Sequence, residues 1–418
     1  MELRPGYKLT EVGVVPVEWV IEPLWKHATF RTGPFGSALH KSDYTNDDGI
    51  PVINPMHIVD GEIEPTRGMT ITEQAAAGLT EFRMKPGEIV IGRRGDMGRC
   101  AVVLGHQSGW LCGTGSMIVR PRATDPVFLQ RVLASPRAVA AIESTSVGTT
   151  MVNLNQGTLA GLLIQFPPLP EQSAIAAALN DVDTLLGGID RLIAKKRDLK
   201  QATMQQLLTG KTRLTGFHGE WEVKRLGEVA DVKTGPFGSS LHERDYVEYG
   251  TPIITVEHLG EFGVEHSNLP LVSDFDRHRL QPYSLATGDI VFSRVGSVDR
   301  NALIRSAEAG WLFSGRLLRV RPEKQHVYAP FLSFQFHSEP FKGLVRSVAV
   351  GQTMASLNTR ILEGIDVVLP PLREQTEIAL VLSDMDADLS ALETRRDKTR
   401  ALKQGMMQEL LTGKTRLV

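Results

Sequence analysis

Thr-Gly-Lys-Thr stands at residues 209–212 and again at 412–415, the residue types with which a phosphate-binding loop ends. Such a loop cradles phosphates with backbone N–H groups and needs a glycine five residues before its Gly-Lys pair. Gln205 and Gln408 occupy that place, and each string follows a helical pattern instead of opening one. "FPPL" (166–169) and "LPPL" (369–372) resemble the Asn/Asp-Pro-Pro-aromatic motif of amino-methyltransferases, without its polar residue or its aromatic. "GTGSMIV" (113–119) lacks a helix after its glycines. The eleven histidines show no His-Glu-x-x-His spacing, so His57, His242 and His258 read as polar loop residues rather than zinc ligands. Cys100 and Cys112 are too few for a disulfide framework and lack ligand spacing, which makes them reduced and structural. No catalytic residue, metal site, ATP site or methyl-donor site emerges in this chain.

What positions the remaining residues is a duplication. "TGPFGS" at 32–37 returns at 234–239, and a series of other strings recurs in the same order, always 201 to 203 residues later. "PVEWVIEPL" (16–24) answers to "HGEWEVKRL" (218–226), and "GEIVIGRRG" (87–95) to "GDIVFSRVG" (288–296). "GTTMVNLNQ" (148–156) answers to "GQTMASLNT" (351–359), and "PPLPEQ" (167–172) to "PPLREQ" (370–375). "LLTGKTRL" occurs unchanged at 207–214 and 410–417. The period is too long for a solenoid and implies two whole domains of one fold, each followed by a second kind of segment. Short apolar runs between Gly, Pro and Asp-Gly turns make the globular parts mixed α and β, with a weakly helical stretch at 126–144 in the first.

The second kind of segment is a long amphipathic helix. Apolar residues fall at Ile175, Leu179, Val182, Leu186, Ile189, Ile193, Leu199 and Leu207 in one copy. In the other they fall at Ile378, Leu382, Met385, Leu389, Leu392, Leu402, Met406 and Leu410. The prolines and the acid that follows them supply each start, and Gly210 and Gly413 supply C-terminal caps. Gly187-Gly188 in the first helix costs about 1 kcal/mol per glycine against alanine. Two such helices, each roughly 55–60 Å long, would leave apolar stripes in water unless they pair. Antiparallel pairing places the two domains at opposite ends of a coiled-coil rod with the chain termini close together. The segments 54–82 and 255–283 barely align, so one scaffold carries two different sets of loops.

The duplicated "TGPFGS" turn, the paired "PPLPEQ" and "PPLREQ" starts and the "LLTGKTRL" ends resemble the specificity subunit of a Type I restriction–modification system, over essentially all 418 residues. The resemblance implies an α+β chain of two pseudo-symmetric target-recognition domains (1–170 and 214–373) joined by two long antiparallel helices (171–213 and 374–418). It implies a DNA-binding, non-enzymatic subunit that reads a bipartite, asymmetric sequence in double-stranded DNA. Its rod would dock two methyltransferase (modification) subunits, with restriction (translocase–nuclease) subunits joining them. S-adenosylmethionine, ATP and Mg belong to those partners. A rod of that length matches on the order of 17 base pairs of duplex.

On this resemblance the candidate DNA contacts are the two glycine turns, Thr32, Gly33, Phe35, Gly36 and Ser37 and Thr234, Gly235, Phe237, Gly238 and Ser239, whose N–H groups could approach a phosphate. The same turns also read as tight corners plugged by Phe35 and Phe237. Arg31, Lys41 and Lys233 add charge beside them. Arg93, Arg94 and Arg99 in one copy, and Arg294 and Arg300 in the other, are of the type that chelates guanine edges or phosphates. Thr149, Thr150 and Asn153, opposite Gln352, Thr353 and Ser356, form a polar loop. Base readout is expected from 54–82 and 255–283.

Charge alone argues mildly the other way, since 46 basic residues stand against 48 acidic ones. Two other classes therefore stay open: a scaffold or decoy that binds methyltransferase subunits without reading DNA, and a self-contained methyltransferase or nuclease, whose cofactor motifs are absent. With neither a signal-peptide h-region nor a membrane-length apolar run, the chain is expected to be soluble and cytoplasmic, away from membranes.

Overall fold

The computed structural model describes residues 4–34, 38–46, 48–144, 153–236, 241–242, 245–260, 263–349 and 355–417. The chain forms two compact units, Met1–Gly188 with Arg396–Val418 and Ile189–Arg395. Each therefore takes part of both long helices.

In the first unit the run "IVIG" becomes a strand buried on both faces, Ile89–Gly92, as an uninterrupted apolar run requires. It lies second in a four-stranded antiparallel core sheet ordered Cys100–Val102, Ile89–Gly92, Ser116–Pro121, Ala28–Thr32. Ile89, Ile91, Met117 and Val119 face the helices Pro126–Leu133 and Pro136–Ser144, together with Trp19, Ile175, Leu179, Leu410 and Leu411. Val90, Ala101 and Ile118 face the other way, onto Ile53, Ile58, Met84 and Cys112. In a smaller sheet of the same unit Leu111–Cys112 runs parallel to Ile50–Ile53. The two cysteine thiols are free and buried, and burial pushes Cys100 up to about 12.

The second unit repeats this plan. Its core sheet is ordered Ala230–Thr234, Leu317–Pro322, Ile290–Ser293, Asn301–Leu303. Its small sheet pairs Leu312–Phe313 in parallel with Thr251–Ile254. Ile290, Phe292, Leu318 and Val320 pack on Phe331, Phe336, Leu207, Ile378 and Leu382.

The long helices run Leu169–Leu207 and Leu372–Leu410, the first unbroken through Gly187 and Gly188. Gly210 and Gly413 take φ of +67° and +70°, the left-handed cap conformation. Not every position of the apolar stripes is inside. Leu199 comes six residues after Ile193, off the three-four spacing, and is exposed; Leu402, one turn before Met406, is exposed as well. Among the described residues no helix is long and apolar enough to cross a membrane.

The helix ends explain why two short strings are kept twice. In the first unit the Glu171 carboxylate is buried, and Arg416 grips it with Nε at 2.6 Å and Nη2 at 2.9 Å. Trp19 Nε1 donates to the same carboxylate at 3.0 Å. In the second unit Glu374, 0 % exposed, receives Arg213 Nε at 2.5 Å and Nη2 at 2.6 Å. The next residue ties each helix start to its globular part. Gln172 Oε1 accepts from Thr124 Oγ1 at 2.6 Å and its Nε2 donates to Pro167 O at 2.9 Å. Gln375 does the same with the Tyr328 N–H and Pro370 O, both at 2.8 Å.

Within each unit the two helices run antiparallel. In the second, Lys196 meets Asp388 at 2.5 Å and Lys200 meets Asp386 beside the apolar contact of Ile189, Ile193 and Leu389. In the first, Lys403 meets Asp183 at 2.5 Å and Arg416 meets Glu171. The exposed pairs are worth about 0.2–1 kcal/mol each. Glu171 is in another class, because removing its partner strands a buried carboxylate. Arg416→Ala should lower the unfolding free energy by about 3 kcal/mol. Urea denaturation against the Lys196→Ala variant measures this, and equal losses in the two variants would contradict the distinction.

Candidate nucleic-acid interface

Strand register brings separated strings to one end of each core sheet. In the first unit Thr32 lies opposite Met117, and Gly92 opposite Ser116. The chain leaves the sheet there as Gly33, as Arg93-Arg94 and, backwards from Ser116, as Gly115 to Gly113. The polar loop joins them: the Leu154 N–H donates to Arg93 O at 2.9 Å, Arg94 bridges Asn153, and Gln156 Nε2 donates to Thr32 Oγ1 at 2.9 Å. The second unit assembles the same corner. The Leu357 N–H donates to Arg294 O at 2.8 Å, Val295 bridges Ser356, and Arg294 Nη1 donates to Thr234 Oγ1 at 3.3 Å.

The first glycine of each turn is a packing requirement. A Cβ on Gly33 would stand 1.9 Å from Gly113 O, and one on Gly235 would stand 2.1 Å from Ser314 O. Two backbones approach so closely there that no side chain fits. Phe35, Gly36, Ser37, Thr149, Thr150, Phe237, Gly238, Ser239, Gln352 and Thr353 lie outside the described residues.

The basic candidates divide by what they already hold. Arg93 is buried; its Nε donates to Leu154 O at 2.9 Å, and burial, with the Arg94 charge beside it, pulls its pKa down. It braces the polar loop against the sheet. Arg31 pairs with Glu81 and lies over the Phe82 ring at 5.0 Å. Arg99 pairs with Asp96, and Arg300 donates to Leu259 O. Lys233 Nζ donates to Pro282 O at 2.9 Å and sits 4.9 Å from the Tyr283 ring centroid. Lys41 is exposed on a short 3-10 turn, Lys41–Asp43. Arg94 is exposed at the sheet end, and its guanidinium has no ion pair among the described residues.

Sequence reasoning missed the turn that abuts this corner. Pro55–His57 is a 3-10 turn closed by His57, whose buried Nδ1 accepts from the Asn54 N–H at 3.1 Å while Nε2 meets Thr66 Oγ1 at 2.9 Å. Asn54 Oδ1 accepts from the Gly115 N–H at 3.3 Å. In the second unit Val256–His258 repeats the turn, with His258 Nδ1 accepting from the Thr255 N–H at 3.1 Å. A histidine four residues past the end of a short apolar strand in both copies was the available signal, hidden because the residues between them differ. His242 is exposed, and its N–H donates to Asp245 Oδ2 at 2.8 Å. Among the described residues no group of three His, Cys, Asp or Glu side chains could hold a metal ion.

A groove of about 1270 Å³ lies elsewhere in the second unit, lined by Lys200, Met204, Tyr328, Phe334, His337 and Lys342 among others. The corresponding position of the first unit differs: Arg131 stands where the second has Phe334, and reaches Asp183 at 2.5 Å.

Fold and corner together define a protein of two similar sheet-bearing units, each with a polar, glycine-cornered sheet end and a share of two antiparallel helices. Residues 35–195 and 218–400 match the type I restriction modification DNA specificity domain, and the chain belongs to that family. It is 25% identical over 437 aligned residues to the putative type I restriction enzyme MjaX specificity subunit of Methanocaldococcus jannaschii, covering 99% of this chain and 97% of that one. It is 22% identical to the EcoKI specificity subunit of Escherichia coli, covering 96% and 89%. The fold is that of a type I restriction–modification S subunit from M. genitalium, with a TM-score of 0.61 at 17% identity and 98% of both chains covered.

The histidine lock makes the first corner sensitive to acid. Burial lowers the His57 pKa below 6.5, so the unfolded segment binds more protons than the folded one as pH falls through that value. The lock is therefore intact above 6.5 and weakens progressively as the pH falls below it, because a protonated Nδ1 cannot accept. Amide exchange at Asn54, corrected for intrinsic rate, should show protection that is level above 6.5 and declines as the pH falls below it. Constant protection would rule the lock out.

Proposed function

We propose that the chain is the sequence-reading subunit of a type I restriction–modification complex, and that each sheet end reads one half of a bipartite duplex target. The observation that carries this is the corner built twice on the same backbone bonds with unlike residues at the matching position, Arg94, exposed, in one unit and Val295, half-buried, in the other. A fixed frame with changed surface residues suits two readers of different half-sites. Methyltransferase subunits dock on the long helices, and restriction subunits join that core. Methyl transfer and cleavage, with their S-adenosylmethionine, ATP and Mg²⁺, belong to those subunits. This chain contributes position and choice of sequence, and the partners contribute the extraction and methylation of an adenine.

The experiment is selection of bound duplexes from a randomised library by the chain co-expressed with its methyltransferase subunits. Two fixed blocks separated by a spacer are expected. A stable complex recovering all sequences alike would replace this reading with the non-reading scaffold. Arg94→Ala should weaken binding to all sequences and flatten the salt dependence by about one unit of log–log slope, leaving stability unchanged. Arg93→Ala should instead lower stability, since it removes the brace on Leu154. Titrations at several salt concentrations, with thermal melts, check both, and an unchanged slope for Arg94→Ala would count against a DNA-facing corner.

A further inference from the structure

The two histidine-locked turns are the same object. Asn54 and Thr255, the residues before them, have φ, ψ of −105°, 167° and −113°, 175°. The His57 N–H donates to Asn54 O at 2.9 Å in one turn and the His258 N–H to Thr255 O at 3.1 Å in the other. The chain then returns in the same way, the Glu64 N–H donating to His57 O at 2.8 Å and the Glu265 N–H to His258 O at 2.9 Å. Both turns are fastened to the sheet end. The Gly113 N–H donates to Ile53 O at 2.8 Å and the Ser314 N–H to Ile254 O at 2.9 Å. In the first unit the Pro55 ring lies against the sheet end closely enough that a Cβ on Gly92 would stand 3.1 Å from Pro55 Cβ.

Inside this duplicated frame one exposed position has changed its chemistry. It is Met56 in the first unit, 58 % exposed, and Glu257 in the second, also exposed. Neither side chain has a hydrogen bond or ion pair among the described residues. A flexible thioether held out in water next to a buried lock, and a carboxylate without a cation, gain nothing from the fold. Both gain from a base edge. A carboxylate is repelled by phosphate but accepts from the exocyclic amine of cytosine in the major groove, and an apolar side chain contacts the methyl group of thymine.

We propose, resting on the DNA-reading function above, that this position is a specificity determinant in both units: Glu257 accepts from a base amine, cytosine N4 in the first instance, and Met56 makes an apolar contact with thymine. The histidine lock presents the side chain, and the neighbouring residue type selects the base.

The test is library selection with the full chain co-expressed with its methyltransferase subunits, comparing wild type, Glu257→Gln, Glu257→Met and Met56→Glu. Each variant alters an exposed side chain of a turn held by other residues. The two Glu257 variants should lose the preference at one base pair of one block by about tenfold and leave the other block intact. Met56→Glu should change one base pair of the other block only. Wild type giving two blocks that all three variants reproduce would overturn the proposal while leaving the reading function standing. Wild type giving no blocks would overturn both. Uniform weakening without a changed motif would assign these residues to general affinity and also overturn it.

Discussion

A carboxylate with almost no access to water sits at the start of each long helix, and the fold depends on what is placed against it. Glu171 and Glu374 would each be costly to bury alone, since desolvating an ion in a protein interior costs several kcal/mol. The guanidinium fork of Arg416 or Arg213 meets each one with two parallel N–H donors, the geometry in which arginine binds a carboxylate best. The two partners come from different repeats: the start of the first helix is closed by the end of the second, and the reverse. Neither repeat alone supplies the arginine for its own buried carboxylate, so burial of the acid couples one half of the sequence to the other. The two closures are not identical. Trp19 bonds its carboxylate, whereas Trp221 lies under the Arg213 guanidinium at 5.5 Å and its indole nitrogen has no partner among the described residues.

Much of this was legible before any coordinates. The strings "PPLPEQ" and "LLTGKTRL" marked helix starts and stops, and the helices begin at Leu169 and Leu372, end at Leu207 and Leu410, and carry left-handed glycine caps. Periodicity gave the paired faces because helical spacing is a strong signal over 39 residues. It overreached at Leu199 and Leu402, where an apolar letter was enough to be counted although its angle on the helix turns it outward. What periodicity could not give was the reason the strings were duplicated. Two residues more than 150 apart must meet for that, and only tertiary contact joins Glu171 to Arg416.

The candidate site was less legible, for a different reason. Arginine type alone cannot separate Arg93, buried and bonded to Leu154 O, from its neighbour Arg94 on the surface; burial decides, and burial depends on which way a strand end turns. Segments 54–82 and 255–283 scarcely align as text, yet both contain the locked turn, a two-residue strand and a helix capped by a hydroxyl, Thr72 before Glu73–Ala76 and Ser273 before Asp274–Arg279. Two-residue strands are specified by backbone hydrogen bonds to their neighbours, which any non-proline residue can make. Such segments can lose nearly all sequence likeness and keep their path.

That property bears directly on how one scaffold can carry unlike readers. A frame held by backbone bonds, a buried imidazole and glycines at close approaches leaves the exposed side chains without structural duty. Met56 and Glu257 can differ as much as a thioether and a carboxylate because neither contributes to the turn that holds it. The framework residues have no such freedom: Gly33 and Gly235 are pinned by backbone oxygens, and Arg93 by the loop it braces. At the sheet end, then, the exposed positions can change at little cost in folding energy while the frame that carries them stays fixed.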